Sequence, residues 1–152
     1  MEAPVANLML FEKIMVAALE NGEIRVFGVI SGEEVSRLYC SFDVIGLVHP
    51  ATYVNKILVV GKKELELWNI WSGNKIFGFQ EKEPLGRILE GGDGAEISCL
   101  EMSPAVDFAA IGFTSGDIVI MNLKKNKVLQ VFKQGLGVTS LGFSKNFKFK
   151  PV

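Results

Sequence analysis

Apolar and polar positions alternate along this chain in short runs interrupted by turns. From His49 to Phe79 the order is an apolar run, a turn, an apolar run ending in Trp68-Asn69, a turn and another apolar run. Short apolar runs bounded by Gly, Asn or Ser predict strands, and consecutive strands joined by tight turns predict an antiparallel meander. The same unit occurs before and after this one. Phe27 precedes Ser31-Gly32 by the four residues that separate Trp68 from Ser72-Gly73, an offset of 68 − 27 = 41. Met121-Asn122 takes the place of Trp68-Asn69, and Phe132 follows Met121 by the 11 residues that separate Phe79 from Trp68, an offset of 121 − 68 = 53. The excess, 53 − 41 = 12 residues, is an insert rich in Glu, Gly and Lys between Gln80 and Ala95.

A meander repeating at about 41 residues, with a Trp-Asp-like dipeptide position in each copy, is the pattern of WD-repeat propeller blades. The predicted fold is therefore all-β, a partial WD40-type β-propeller filling residues 1–152, with blades at about 8–41, 42–94 and 95–134 and an incomplete blade at 135–152. The segment Ala3 to Glu20 has a helix-forming composition. Its alignment argues otherwise: Asn21-Gly22 falls on Ser115-Gly116, 94 residues on, which sets Ile14–Leu19 on Phe108–Phe113 and predicts a strand. Asn-Gly favours a hairpin because both residues tolerate positive φ. Further strands are expected at 23–27 and 35–39, then at 53–60 and 65–70, and then at 97–102, 108–113, 117–123 and 128–132, with 42–48 crossing from the first blade to the second. Trp68 is expected between its sheet and the neighbouring one, where a buried indole contributes on the order of 2–3 kcal/mol. Gly137–Ser144 repeats the pattern of Glu96–Ser103 at an offset of 41 and predicts a further strand. Three blades and a strand leave two apolar sheet faces open, so a longer propeller and poor solubility in isolation are expected.

Composition narrows the class. Hydrophobic residues make up 49% and charged residues 22%, with 11 Phe, which predicts a packed core. A net charge of −1 gives no overall attraction to phosphate or to anionic lipid. Uncharged runs such as Val44–Asn55 are too short to span a membrane, and no basic region precedes an apolar segment at the N-terminus. Cys40 and Cys99 lack CxxC partners, and no N-x-S/T site occurs, which points to a reducing intracellular compartment.

Four stretches carry a more specific resemblance: HPATYVNKIL, LELWNIWSGNKI, SPAVDFAAIGFTSGDIVIMN and GVTSLGFS. Over about residues 10–144 the chain resembles the N-terminal propeller of the WD-repeat family of the small-subunit processome, the U-three-protein twenty-one family of yeast nomenclature. The resemblance implies a non-catalytic scaffold subunit in the nucleus and nucleolus, acting in pre-rRNA processing. Its implied partners are other WD-repeat processome subunits, together with pre-rRNA and the small nucleolar ribonucleoprotein. No membrane and no small-molecule substrate are implied. The alternative is a generic WD-repeat adaptor outside the nucleolus, in trafficking or ubiquitin ligation.

Candidate chemistry is sparse, and no catalytic, cofactor-binding or metal-binding residue is assigned. His49 is the sole histidine, so neither a triad with a second base nor a two-His metal site can form within the chain. Beside Pro50 it is expected to open a strand and bond local backbone. Asp107, before a strand, is expected to bond loop amides. Gly135-Leu136-Gly137-Val138-Thr139-Ser140 departs from GxGxxG at its last position, and Gly91-Gly92-Asp93-Gly94 lacks the Gly-Lys-Ser/Thr of a phosphate loop and is expected to be a loop tip. Lys62-Lys63 and Lys124-Lys125-Lys127 fall in turns of neighbouring blades. Placed on one rim they would suit RNA phosphates, although solvated turns are the plainer expectation. Lys145, Lys148 and Lys150, with Phe147 and Phe149 between them, read as an interrupted strand rather than a base-stacking element.

Overall fold

The computed structural model describes residues 3–90, 95–104 and 107–144. Among these, twelve strands form three four-stranded antiparallel meanders. The first sheet comprises β1 (Val5–Phe11), β2 (Ile14–Leu19), β3 (Glu23–Gly28) and β4 (Glu34–Tyr39). The second comprises β5 (Gly46–Val48), β6 (Lys56–Val60), β7 (Leu65–Asn69) and β8 (Asn74–Gly78). The third comprises β9 (Ile97–Met102), β10 (Phe108–Phe113), β11 (Asp117–Asn122) and β12 (Lys127–Lys133). These are propeller blades. Residues 14–19 are a strand despite their helix-forming composition, because tertiary pairing outweighs a propensity of a few tenths of a kcal/mol per residue.

The repeat is visible in the backbone itself. The pairing of each third strand with its fourth slips at one place: between Val26 and Phe27, between Leu67 and Trp68, and between Ile120 and Met121. Beyond the slip Phe27 faces Glu34, Trp68 faces Lys75 and Met121 faces Val128, seven residues on in every case. Trp68 and Met121 thus hold equivalent places in successive sheets. The turn that follows needs one left-handed residue, and Gly32, Gly73 and Asn126 supply it at φ of 69°, 73° and 51°. Asn is among the few side-chain-bearing residues that accept that conformation. A further backbone bond closes each first-to-second-strand loop onto the third strand's end: Val29 N–H to Lys13 O, Ile70 N–H to Asn55 O, and Leu123 N–H to Asp107 O, each 2.9 Å.

Side-chain alternation in the middle sheet builds two cores. Ile57, Val59, Trp68 and Ile70 point toward the first sheet and pack with Val16, Ala18, Ile24, Val26 and Leu38. Leu58, Val60, Leu65 and Leu67 point the other way, toward Ala109, Ile111, Phe113, Val119 and Met121 of the third. A sheet covered on both faces reads as a continuous apolar run. Glu66 interrupts that run and is 6% exposed. Its carboxylate accepts hydrogen bonds from Trp68 Nε1 at 3.1 Å and Gln80 Nε2 at 2.9 Å and pairs with Lys75 Nζ at 3.1 Å. Burial of the charge is tolerable because three donors meet it.

The outer sheets keep apolar residues exposed. Leu8 and Leu10 of β1, on the side away from Met9 and Phe11, are 64% and 69% exposed. Phe132, opposite Ile118 on the far face of the third sheet, is 50% exposed.

Three expectations are corrected. The crossing segment 42–48 ends in a strand, β5, which pairs with β6, and the strand expected from residue 53 begins at Lys56. The insert after Gln80, for which the sequence predicted no element, carries structure of its own. A 3-10 turn (Phe79–Glu81) and helix α1 (Leu85–Glu90) occupy it, and Phe79, Leu85 and Leu89 join the core between the second and third sheets. The strand expected within 137–144 does not form. Val138 instead donates its N–H to Phe113 O at 3.2 Å and buries its side chain at the end of β10. A strand exists only where a partner edge takes its hydrogen bonds, and residues 137–144 pair with no strand among the described residues.

Candidate functional site

The residues singled out in the sequence do not converge on a reactive centre. His49 is held by ring stacking on Phe11, with centroids 3.9 Å apart and planes 4° from parallel. Its Nε2 is buried without a hydrogen-bond partner among the described residues, so the expected bond to local backbone is not what fixes it. Asp107 bonds a side chain rather than loop amides. Its carboxylate accepts the Thr52 hydroxyl from the second sheet and faces Lys124 Nζ at 3.6 Å, so it ties the loop before β6 to the turn after β11. Burial pushes the Cys40 thiol pKa up, which suppresses its thiolate, and the thiol donates to the carbonyls of Gly22 and Phe42 at 3.4 and 3.6 Å. No group of three or more His, Cys, Asp or Glu among the described residues is placed to hold a metal, and no described helix is long and apolar enough to cross a membrane.

The lysine turns separate. Lys62-Lys63 lies in the hairpin that starts β7, whereas Lys124-Lys125 lies in the turn that ends β11. Because β7 and β11 are equivalent strands, these turns sit at opposite ends of the sheets and do not share one rim. Lys63 Nζ is occupied, donating to the carbonyls of Leu89 and Ala95 at 3.2 and 2.8 Å and so fastening α1 and the chain after it. Gly135 has a φ of +84°, and residues 137–140 are not in a strand. Gly91–Gly94, Lys145, Phe147, Lys148, Phe149 and Lys150 lie outside the described residues.

Sequence reasoning missed a groove of about 290 Å³ between the second and third sheets. Leu67, Phe77, Phe79 and Leu123 line it together with Tyr53, Lys56, Lys124 and Asn126. Phe77 and Phe79 meet edge-on, 4.8 Å apart at 72°. Lys56 Nζ stands 5.7 Å above the Tyr53 ring, a cation–π distance. The Tyr53 hydroxyl is pushed up in pKa by burial and secondarily by the charge of Asp107. At one end Asn126 Nδ2 donates to Glu83 O at 2.9 Å, joining the β11–β12 turn to the insert. The only sequence signal for this groove was the insert itself.

The chain resembles solved and curated proteins over nearly its whole length. It is 31% identical to WD repeat-containing protein 36 of Homo sapiens over 93% of this chain and 15% of that protein. It is 34% identical to U3 small nucleolar RNA-associated protein 21 homolog of Schizosaccharomyces pombe over 91% of this chain and 15% of that protein. It thus spans about 15% of the length of these curated relatives. The β-propeller domain of Cps50 (Swd1) from Myceliophteria thermophila superposes with a TM-score of 0.72 at 13% identity, covering 88% of this chain and 43% of that one, which establishes the fold. The sequence profile described as the WDR36/Utp21 first beta-propeller matches residues 1–149. With the three sheets in propeller register, the chain belongs to the WDR36/Utp21 family and corresponds to blades of its first propeller.

Proposed function

We propose that this chain is part of a non-catalytic WD-repeat scaffold subunit of the nucleolar small-subunit processome, acting in pre-rRNA processing and small ribosomal subunit assembly. The observation that carries this reading is the family match over residues 1–149, with relatives whose names record association with the U3 small nucleolar RNA. The structure supports a scaffold in physical terms. Its polar side chains are spent on tying strands and sheets together, as with Glu66, Asp107 and Lys63, and its turns crowd two opposite faces on which partners can dock. The division into blades at about 8–41, 42–94 and 95–134, with 135–152 opening a fourth, belongs to this reading. Its partners are other WD-repeat subunits, and through them pre-rRNA and the small nucleolar ribonucleoprotein, in the nucleolus.

Affinity purification of the full-length protein tests it. Recovery of pre-rRNA, U3 RNA and WD-repeat subunits is the expected result. Their absence, with fluorescence of the tagged protein outside the nucleolus, would replace it with an adaptor role elsewhere.

A further inference from the structure

The groove between the second and third sheets has a composition that no strand-tying role explains. Its floor is apolar, built from Leu67, Phe77, Phe79 and Leu123, and its volume of about 290 Å³ falls just below the range of small-molecule sites. Lysines gather on its rim. Lys56 and Lys124 line it, Lys125 stands in the same turn as Lys124, and Lys127 opens β12 just beyond that turn. The nearby acids are already engaged: Asp107 with Thr52 and Lys124, Glu81 with Lys75 at 2.5 Å, and Glu83 with Arg87 at 2.6 Å. Among the described residues Lys56, Lys125 and Lys127 have no carboxylate partner. A chain of net charge −1 therefore carries a local basic field around an apolar slot.

We propose that this groove docks an acidic peptide segment of another protein, which inserts one aliphatic or aromatic side chain into the floor and sets Asp or Glu against Lys56, Lys124, Lys125 and Lys127. Charge complementarity selects the acidic flanks, and the apolar floor selects the anchor. The rings argue for a peptide over single-stranded nucleic acid. A base needs an open ring face to stack on, whereas Lys56 covers Tyr53, and Phe77 and Phe79 are set edge to face. The inference rests on the scaffold reading only in taking the occupant to be a protein.

The test is fluorescence anisotropy of the full chain with a fluorescein-labelled ten-residue peptide of Asp and Glu carrying one central Phe. Binding is expected that weakens at least tenfold for the Lys56→Gln/Lys124→Gln variant, for the exposed-residue variant Lys125→Glu/Lys127→Glu, and for the peptide with Ala in place of Phe. Circular dichroism of both variants separates lost docking from lost folding. The proposal is overturned by an absence of binding, by binding indifferent to the central Phe, by unchanged affinity in a folded rim variant, or by tighter binding of a ten-nucleotide oligouridylate. The two readings fail separately. Loss of peptide binding while the full-length protein still recovers U3 RNA removes the groove alone, and the converse removes the processome alone.

Discussion

Replacement of Trp68 by Phe separates what the indole does by its size from what it does by its N–H. Trp68 is 8% exposed, and its Nε1 donates to Glu66 Oε1 at 3.1 Å. With Glu66 itself 6% exposed, water cannot take the place of the lost donor. A hydrogen bond to a buried charged group is worth about 1.5–3 kcal/mol, and the smaller ring forfeits about 1 kcal/mol of burial. Trp68→Phe should therefore cost about 3 kcal/mol. For a chain of this length each kcal/mol moves the midpoint by roughly 2–4 °C, so a fall of about 6–12 °C is expected. Trp68→Ala, which opens a cavity between the first and second sheets, should cost at least as much, about 3–5 kcal/mol. Trp71, 50% exposed in the turn two residues beyond β7, supplies the control, and Trp71→Phe should stay within about 0.5 kcal/mol. The assay is thermal and urea unfolding followed by far-UV circular dichroism. A Trp68→Phe chain as stable as the parent, or a Trp71→Phe loss of equal size, would refute the claim that the buried Glu66 carboxylate depends on the indole N–H.

Three more outcomes follow from the same structure. Gly112→Ala places a methyl 2.7 Å from both Cys99 Sγ and Val138 Cγ1, so overpacking should destabilise by about 1–3 kcal/mol, read as a lower urea midpoint with an unchanged slope. Leu85→Ala in α1 should cost about 2–5 kcal/mol, measured the same way, because Leu85 is fully buried in the core between the second and third sheets; a loss under about 0.5 kcal/mol would remove α1 from that core. Hydrogen bonds first to Glu81 and then to Glu66 raise the Lys75 pKa, so its contribution is fully present below the ordinary lysine value and is lost as pH rises through the raised one. Stability followed by circular dichroism should thus fall at strongly alkaline pH, and Lys75→Met should flatten that part of the profile.

The repeat could be read from spacing alone because it depends on local chemistry. Three third strands place Phe27, Trp68 and Met121 seven residues ahead of their cross-strand partners, and each following turn needs a residue that tolerates positive φ. Ile14–Leu19 shows the strength of that signal, since alignment to Phe108–Phe113 outweighed a helix-forming composition. Short apolar runs bounded by Asn-Gly and Ser-Gly have one stable outcome once each finds its neighbour, and neighbours in a meander are close in sequence. The chain's letters also sufficed for the family, through motifs such as HPATYVNKIL.

Tertiary structure decided what depends on contacts distant in sequence. Helix α1 was hidden in a polar insert because its apolar positions are few, Leu85 and Leu89 in the core with Ile88 packed against it, and their partners belong to other sheets. The hold of Asp107 on Thr52 spans 55 residues, and that of Asn126 on Glu83 spans 43, so neither leaves a trace in local pattern. The ends at which Lys62-Lys63 and Lys124-Lys125 emerge follow from strand direction, and strand direction from topology. The groove arises where a turn of one sheet crosses the face of another, and it had no sequence signature for the same reason. Periodicity encodes which residues lie on a face, but only packing sets which two faces meet.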